Sequence, residues 1–318
     1  MGAIANVTRQ DVIEAAVRIA GQVERTPLLE TRIHGARVWL KCESLQTGGA
    51  FKLRGATNRL LQLSEEERQR GVVAFSSGNH AQGVAIAARR LGIDATIVMP
   101  QDAPVKKVEG TRVQGATIIF FDRKTEDRVA IAERIAAETG ATVVPSFDDP
   151  AIVAGQGTAG LEICEQLAEA GLSAARILVP CGGGGLSAGI ALACPDAQIT
   201  IVEPAGWDDM GRSLALGRIV SVEPDAPPTR CDALQTLLVS PITFAILREQ
   251  QAQSASVTED EVAAAIRWAW REHQLMVEPG GAVALAALLS GKLAIEPETV
   301  VVLSGSNIDP ALHAEIVA

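Results

Sequence analysis

The sequence predicts an α/β protein built on parallel β-sheets, and two observations lead to this class. Short runs rich in Val, Ile and Leu alternate along the chain with longer amphipathic stretches, which is the pattern of parallel strands joined by helices. The chain has 318 residues, 47% hydrophobic and 21% charged, which is sufficient for about two domains with substantial cores. No Pro/Ser-rich linker interrupts the alternation, so composition alone marks no domain border.

Eight apolar runs are the predicted strands, and the stretches between them have helical periodicity. In 125–140, for example, Thr125 is the predicted N-cap and Gly140 the predicted end. Ligands of open α/β sheets bind beyond the carboxyl ends of the strands, so the loops after the strands are the place to search for functional residues. The predicted strands are 38–43, 71–76, 95–100, 116–121, 142–147, 176–181, 199–204 and 299–304.

Composition excludes several classes of protein. The formal charge is −10 and no stretch concentrates Lys and Arg, so we expect no nucleic-acid partner. The start of the chain lacks a signal-peptide pattern and no apolar run approaches the ~18 residues of a membrane span, so we expect a cytoplasmic protein with no membrane contact. Five cysteines without a C-x-x-C pair indicate buried, reduced thiols rather than a disulfide framework or a zinc site.

The first informative loop, 44–60, contains Lys52 beside Phe51 in a Gly- and Ala-rich helix opening. A single lysine is by default a solvated helix residue. A lysine among small apolar groups near a helix N-terminus should instead lose proton affinity, which suits a Schiff-base nucleophile.

The second loop follows the strand at 71–76 and contains Ser76, Ser77, Asn79 and His80 before a helical stretch. Either serine could be a simple N-cap. Hydroxyls, an amide and free N–H groups at the positive end of a helix also form a site for a carboxylate.

The third loop is the tetraglycine run 182–185, which enters a helix. Successive glycines let backbone N–H groups surround a phosphate, and the helix N-terminus favours the negative charge. Two cofactors fit this loop about equally. Gly183, Gly185 and Ala188 also match a dinucleotide fingerprint, with Glu203 about twenty residues on as the ribose-binding acid, so NAD(P) competes with pyridoxal phosphate here.

The fourth loop, 304–307, begins with Ser304. Its neutral hydroxyl could hydrogen-bond a heteroaromatic nitrogen without protonating it, although the segment alone would pass as a turn.

The four loops occur in this order, each after a predicted strand, and together they resemble the fold-type II pyridoxal-phosphate enzymes with the tryptophan synthase β-like fold. Within them the serine/threonine dehydratase and serine racemase group is most similar, over essentially the whole chain. A Rossmann dehydrogenase would explain only the tetraglycine loop. The resemblance implies two open α/β domains with the cofactor between them, and we expect a large domain at 1–70 and 150–318 and a small domain at 71–149.

The resemblance also implies roles for individual residues. Lys52 would bind the cofactor covalently, with Phe51 against the pyridine ring, Asn79 at the 3′ oxygen and Ser304 at the pyridine nitrogen. Glu278 matches a family motif near the cofactor without a defined role. The phosphate would be held by the backbone of Gly182, Gly183, Gly184, Gly185 and Leu186, and the substrate carboxylate by Ser76, Ser77, Asn79 and His80.

The implied activity is an ammonia-lyase that dehydrates and deaminates L-serine or L-threonine to a 2-oxo acid, with Lys52 taking the α-proton. A serine racemase is the nearest alternative, because Ser77 stands where racemases place a second base. Two departures from the family pattern, Gly48 and Ser306, could reshape the pocket. We expect Gly48 to enlarge the substrate side, so hydroxyaspartate and phenylserine are further candidate substrates.

Two expectations concern partners. Glu203, Trp207 and Asp209 resemble the segment by which racemase-like members bind Mg²⁺ or Ca²⁺, with two carboxylates and one carbonyl as hard oxygen ligands. A solvated acidic helix start is an equal alternative. The apolar character of the chain is compatible with a homodimer.

Overall fold

The computed structural model describes residues 6–76, 78–103 and 105–318, which contain ten strands. All eight predicted strands are present. The two strands that the sequence patterns did not indicate are β1 and β9. The strands are β1 (Leu28–Ile33), β2 (Ala36–Lys41), β3 (Val72–Phe75), β4 (Ala95–Pro100), β5 (Thr117–Phe121), β6 (Thr142–Val143), β7 (Arg176–Pro180), β8 (Gln198–Pro204), β9 (Gln253–Val257) and β10 (Thr299–Val302).

Within the described ranges, thirteen α-helices connect and cover the strands, and none of them is long and apolar enough to cross a membrane. Short 3-10 helices lie at Glu43–Leu45 and Asp232–Leu234. The helices are α1 (Arg9–Ile19), α2 (Lys52–Leu61), α3 (Glu65–Arg70), α4 (Asn79–Leu91), α5 (Val105–Arg112), α6 (Arg128–Thr139), α7 (Pro150–Glu169), α8 (Gly185–Ala193), α9 (Asp209–Leu216), α10 (Pro241–Glu249), α11 (Glu259–His273), α12 (Pro279–Leu289) and α13 (Pro310–Val317).

The prediction for the helix at 125–140 was half right. Gly140 ends α6 in the left-handed conformation, with φ of 76°. Thr125 is not the N-cap, because its backbone belongs to a turn in which its N–H donates to the Asp122 carbonyl at 3.2 Å. Asp127 caps the helix instead, accepting the Val129 N–H at 2.8 Å, since its carboxylate stands next to the first free amides.

The strands form two sheets. The larger has the order β1-β2-β10-β7-β8-β9, with β1 antiparallel to β2 and the other neighbours parallel. The smaller has the order β5-β4-β3-β6 and is wholly parallel. All strands of the smaller sheet fall between residues 72 and 143, within the predicted small domain.

Helices cover both faces of the larger sheet. Along β10, Val301 faces one apolar cluster, whereas Val300 and Val302 face another, as the alternation of side chains along a strand requires. The first cluster is completed mainly by α11, α12 and α13, and the second by α1, α7, α8 and α10. Both faces of the larger sheet are therefore buried. Its parallel strands are held in place, and so are the loops that follow their carboxyl ends.

Helices α7 and α8 lie against each other almost backbone to backbone. A Cβ built on Gly157 would lie 2.6 Å from the Gly189 carbonyl oxygen, and one built on Gly160 would lie 2.7 Å from the Ala193 Cβ. Real side chains do not reach such distances, so only glycine fits at these positions. Helix α8 is thus held firmly along its length by α7.

A buried cluster of ionised side chains joins β2, α2 and α7. The Arg54 guanidinium donates to Glu43 at 2.8 Å and to Glu162 at 2.6 Å, and the Lys41 ammonium donates to Glu162 at 2.6 Å. Arg54, Lys41 and Glu43 are fully buried. Burial would raise the pKa of Glu43, but the Arg54 guanidinium holds it below its usual value, so the cluster contains two cations and two anions.

Candidate active site

One pocket collects most of the residues predicted from the four loops. It opens at the carboxyl ends of β3 and β7 and beside the segment after β10, where parallel strands place their following loops together. The predicted residues that line it are Phe51, Lys52, Ser76, Asn79, His80, Gly182, Gly183, Gly184, Gly185, Leu186 and Ser304. Ser77 lies outside the described residues.

Lys52 is the first residue of α2 and points into this pocket. Its ammonium donates to the Ser146 carbonyl at 2.8 Å and lies 5.1 Å from the centre of the Phe51 ring. Desolvation lowers the pKa of Lys52 to about 8. A substantial neutral fraction of this amine is therefore present near neutral pH, as a Schiff-base nucleophile requires.

The tetraglycine loop forms a cradle that side chains would fill. A Cβ on Gly184, whose φ is 85°, would lie 2.7 Å from Met210 Cε, and one on Gly182 would lie 3.1 Å from the Leu234 Cα. The loop ends at Gly185, the first residue of α8, where helix N–H groups are free of helical partners. Bare backbone at a helix N-terminus opposite a half-buried lysine fits a phosphate and an aldehyde on one ligand.

Asn79 is fixed by two long-range hydrogen bonds at the start of α4. Its Nδ2 donates to Glu278 Oε1 at 2.5 Å, and its Oδ1 accepts from Asn307 Nδ2 at 2.8 Å. Glu278 and Asn307 were not assigned these contacts from the sequence, since they lie more than 190 residues away along the chain. They hold the Asn79 amide in one orientation at the pocket wall.

His80 is a neutral residue in this structure. Its Nε2 lies 2.9 Å from the Val144 carbonyl, which requires a proton on that nitrogen. Desolvation, followed by the nearby Lys52 charge, lowers the pKa of His80 to about 3. Nδ1 has no hydrogen-bond partner among the described residues, so it is an acceptor rather than a proton donor near neutral pH.

Ser304 and Ser76 stand on different walls of the pocket. Ser304 is 4% exposed, and its carbonyl accepts the Phe51 N–H at 3.2 Å, which ties the segment after β10 to the start of α2. The Ser76 hydroxyl accepts the Gly78 N–H at 3.2 Å. Both residues line the pocket.

The sequence analysis missed a basic wall on the side of the smaller sheet. Lys107 of α5, Arg123 after β5 and Arg128 at the start of α6 line the same pocket. Lys107 is paired with Asp232, and Arg123 with Asp102 at 2.7 Å. Their position after β4 and β5 could have indicated them, because ligands bind beyond the carboxyl ends of strands. Neither of these strand ends is among the four loops described above.

Arg128 differs from the other two cations. No carboxylate among the described residues lies within ion-pair distance of it, and its guanidinium carbon lies 5.7 Å from the Phe75 ring centre. Desolvation, followed by the like charge of Arg123, lowers the pKa of Arg128. A partly buried guanidinium held against an aromatic ring, with no counter-ion, is a ready partner for an anionic ligand.

Two sequence interpretations are corrected by the geometry. Gly48 was expected to enlarge the substrate side, but it does not line the pocket, and a Cβ there would lie 2.6 Å from Ile86 Cδ1. Glu203 was the expected ribose-binding acid in the alternative interpretation of the tetraglycine loop as a dinucleotide site. It is fully buried and accepts the Met210 and Gly211 N–H groups at 3.0 and 2.8 Å, so it does not face the tetraglycine loop. Ser306 is also outside the pocket, donating to the Ser44 carbonyl at 2.8 Å.

Glu203 near the end of β8, Trp207 in the following connection and Asp209 at the start of α9 all lie outside the pocket lining. Burial raises the pKa of Glu203 well above its usual range and that of Asp209 to about 7. Neither oxygen of Asp209 has a hydrogen bond of normal geometry with a described residue. No group of three or more His, Cys, Asp or Glu side chains with metal-site geometry occurs among the described residues. Any cation here would therefore need the Trp207 carbonyl and water as further ligands.

Comparison with known proteins defines the class of this protein. The pyridoxal-phosphate dependent enzyme family matches residues 19–305, which include Lys52, the tetraglycine loop and Ser304. The chain belongs to this family, and its fold is that of the fold-type II members.

The similar proteins within this family have related activities. An L-threo-3-hydroxyaspartate ammonia-lyase from Pseudomonas sp is 43% identical, over 96% of this chain and 97% of the relative. An L-threonine ammonia-lyase from Thermotoga maritima is 40% identical, over 95% of this chain and 76% of the relative. The structure of maize serine racemase superposes with a TM-score of 0.90 at 34% identity, covering 98% of this chain and 97% of the other.

Proposed function

We propose that this protein is an ammonia-lyase that converts L-threo-3-hydroxyaspartate to oxaloacetate and ammonia. The substrate is a β-hydroxy amino acid with a second carboxylate on the β-carbon. The proposal selects hydroxyaspartate from the serine, threonine and larger β-hydroxy substrates that the sequence left open. The similarity to the Pseudomonas enzyme supports it, and the basic wall of the pocket supports it independently.

The observation that carries the proposal is the charge of the pocket lining. Four of its described side chains are basic, Lys52, Lys107, Arg123 and Arg128, and two are acidic, Asp102 and Asp232. Two basic–acidic pairs leave Lys52 and Arg128 as the cations without a carboxylate partner. Lys52 has the chemical role described below, so Arg128 is the residue available for a substrate carboxylate.

The position of Arg128 agrees with a β-carboxylate. It contacts Phe75, the residue directly before Ser76, on the strand whose following loop faces the α-carboxylate in the family pattern. Threonine would place a methyl group on the β-carbon and serine only hydrogen, leaving the partly desolvated guanidinium without a counter-charge. A desolvated charge without a partner is unfavourable, whereas a carboxylate can accept two N–H donors from it.

The residues of this chain divide the work of the reaction. When bound, pyridoxal phosphate supplies an aldehyde for the substrate amine and a ring that delocalises the charge left by α-proton removal. The Gly182–185 backbone and the start of α8 would hold its phosphate, Asn79 would contact its 3′ oxygen, and Ser304 would face its pyridine nitrogen. Ser304 offers only a hydroxyl, so it supplies no negative charge that would favour a protonated ring nitrogen.

Lys52 would act as the base. Its neutral amine takes the proton from the substrate α-carbon, and the hydroxyl on the β-carbon departs as water. The resulting enamine is released, tautomerises to an imine and reacts with water to give the 2-oxo acid and ammonia. His80 is neutral and donates only to Val144, so we assign it an orienting rather than an acid role.

We also propose that Glu203, the Trp207 carbonyl and Asp209 bind Mg²⁺ or Ca²⁺. Desolvation raises the pKa of both carboxyls, and for Glu203 the neighbouring Asp209 charge raises it further, so a divalent cation would offset the cost of ionising them. The site is outside the pocket, so the ion would stabilise the fold without contacting the substrate.

The test of the substrate is a comparison of kcat/KM for L-threo-3-hydroxyaspartate, L-threonine and L-serine. Ammonia release is measured for all three, and oxaloacetate by reduction with a coupled dehydrogenase. We expect hydroxyaspartate to be preferred by at least tenfold. A preference for threonine or serine would reject the dicarboxylate assignment. Inversion at the α-carbon of recovered substrate without ammonia release, which gives D-serine from L-serine and the erythro epimer from L-threo-3-hydroxyaspartate, would identify a racemase instead.

A further inference from the structure

Two of the five cysteines lie in contact, away from the active-site pocket. Cys164 is on α7, and Cys194 is the residue directly after α8. Their sulfur atoms are 3.1 Å apart, and Cys194 Sγ also lies 3.3 Å from the Gly160 carbonyl oxygen. No other pair of cysteines in the described part of the chain has a thiol–thiol contact.

We propose that Cys164 and Cys194 form a reversible disulfide in the presence of hydrogen peroxide. A disulfide has a sulfur–sulfur distance of about 2.05 Å, so the sulfurs need to approach by only about 1 Å. The glycine-mediated contact of α7 with α8 already sets the spacing of the two helices.

The reaction is balanced in two steps. The Cys164 thiolate attacks one peroxide oxygen, which forms a sulfenic acid and releases hydroxide, protonated to water. The Cys194 thiol then displaces the sulfenic hydroxyl, which forms the disulfide and releases a second water. Two thiols lose two electrons and two protons, and one peroxide is reduced to two waters. A small dithiol reverses the reaction.

The two thiols differ in exposure and in pKa, as the two-step reaction requires. Cys164 is partly exposed, so peroxide can reach it, whereas Cys194 is 4% exposed. The hydrogen bond from Cys194, assisted by the positive charge of Arg9, lowers the pKa of Cys164. The same contact and burial raise the pKa of Cys194. Cys164 is therefore the attacking thiol and Cys194 the resolving thiol.

The remaining thiols are unsuited to this chemistry. Cys42 is fully buried in an apolar cluster, and burial raises its pKa to about 12. Cys231 is likewise fully buried, with its pKa raised to about 12. Burial raises the pKa of Cys181 well above its usual value. These thiols should stay protonated and unreactive in the folded protein.

The disulfide would stabilise the fold without stopping catalysis. It closes a segment of about 30 residues and so restricts the unfolded chain more than the folded one. Cys194 follows the last residue of α8, whereas the tetraglycine cradle ends at its first residue, Gly185. Nine helical residues separate them by about 13 Å, and the helix already lies against α7 along this length.

The experiment uses the cofactor-loaded protein with and without one equivalent of hydrogen peroxide, followed by alkylation of free thiols. The protein is then digested with trypsin. Tandem mass spectrometry without reduction should find the peptide 135–176 linked to the peptide 177–212. Fragmentation should assign the bond to Cys194 rather than to Cys181. The melting temperature should rise by several degrees on oxidation and return with dithiothreitol, while kcat/KM stays within about twofold.

Cys164→Ser and Cys194→Ser should each abolish the oxidation-dependent rise in melting temperature. Cys42→Ser is the matched control, because it removes a thiol that has no thiol neighbour, and it should retain the rise. Oxidation that stops at a sulfenic or sulfinic acid on Cys164, or a rise that survives in Cys164→Ser, would overturn the proposal. A disulfide that forms but inactivates the enzyme would overturn the claim that it leaves catalysis intact.

Discussion

Arg128→Gln is the sharpest test of how the pocket selects its substrate. The substitution keeps a polar side chain of similar length at the start of α6. It removes the only pocket cation besides Lys52 that lacks a carboxylate partner among the described residues. A hydrogen bond to a charged group contributes about 1.5–3 kcal/mol, and about 1.4 kcal/mol corresponds to a factor of ten. We therefore expect kcat/KM for hydroxyaspartate to fall about 10- to 100-fold.

The same variant should reduce kcat/KM for threonine much less, because threonine has no carboxylate for Arg128 to bind. Steady-state ammonia release with both substrates measures the two ratios. Arg134→Gln is the matched control, since Arg134 is an exposed residue of the same helix outside the pocket lining. Equal losses for both substrates would show that Arg128 supports the pocket generally and does not read the β-carboxylate.

Four further predictions test the cofactor and metal assignments. Lys52→Ala should lower turnover by several orders of magnitude while the tetraglycine loop still retains the cofactor, seen as bound cofactor fluorescence; a near-normal rate would remove Lys52 from the chemistry. Desolvation lowers the pKa of Lys52 from 10.5 to about 8. The rate at which the apoprotein binds pyridoxal phosphate covalently should therefore increase with pH and reach half of its maximum near pH 8. A midpoint near 10.5 would show that the amine is solvated. Ser304→Asp should stabilise a protonated ring nitrogen, so we expect slower ammonia release and an altered absorption spectrum; no change in either would place Ser304 away from the ring. Mg²⁺ or Ca²⁺ should raise the melting temperature and Asp209→Asn should abolish that increment, whereas a wild-type protein indifferent to both ions and to chelator would have no metal site.

The strand pattern was predictable where strands are buried on both faces. Most of the eight runs that were recognised are rich in apolar residues, and in the larger sheet helices cover both sides of the strands. The two missed strands, β1 and β9, are the two edges of the larger sheet. β9 reads QSASV, with a single large apolar residue, since much of it faces solvent. Pairing with β8 decides its conformation, and that pairing has no local signature.

The residues of the candidate site also divide into those that the sequence indicated and those that it did not. The tetraglycine loop and Lys52 were recognisable because a cradle of bare backbone and a lysine among small residues are local features. Arg128 was not, because a charged residue at a helix start is ordinary until its neighbours are known. The absence of a carboxylate beside it is a property of the folded chain, as is the hold of Glu278 and Asn307 on Asn79.

The buried cluster of Lys41, Glu43, Arg54 and Glu162 has a consequence for how this protein can vary. Its two positive and two negative charges are balanced, so loss of any one leaves a net charge in a cluster where the side chains of Lys41, Glu43 and Arg54 are fully buried. Exchange of an opposite pair for apolar side chains of similar volume preserves neutrality. At this junction of β2, α2 and α7, where Arg54 lies two residues after Lys52, we therefore expect a paired substitution to be tolerated better than any single one.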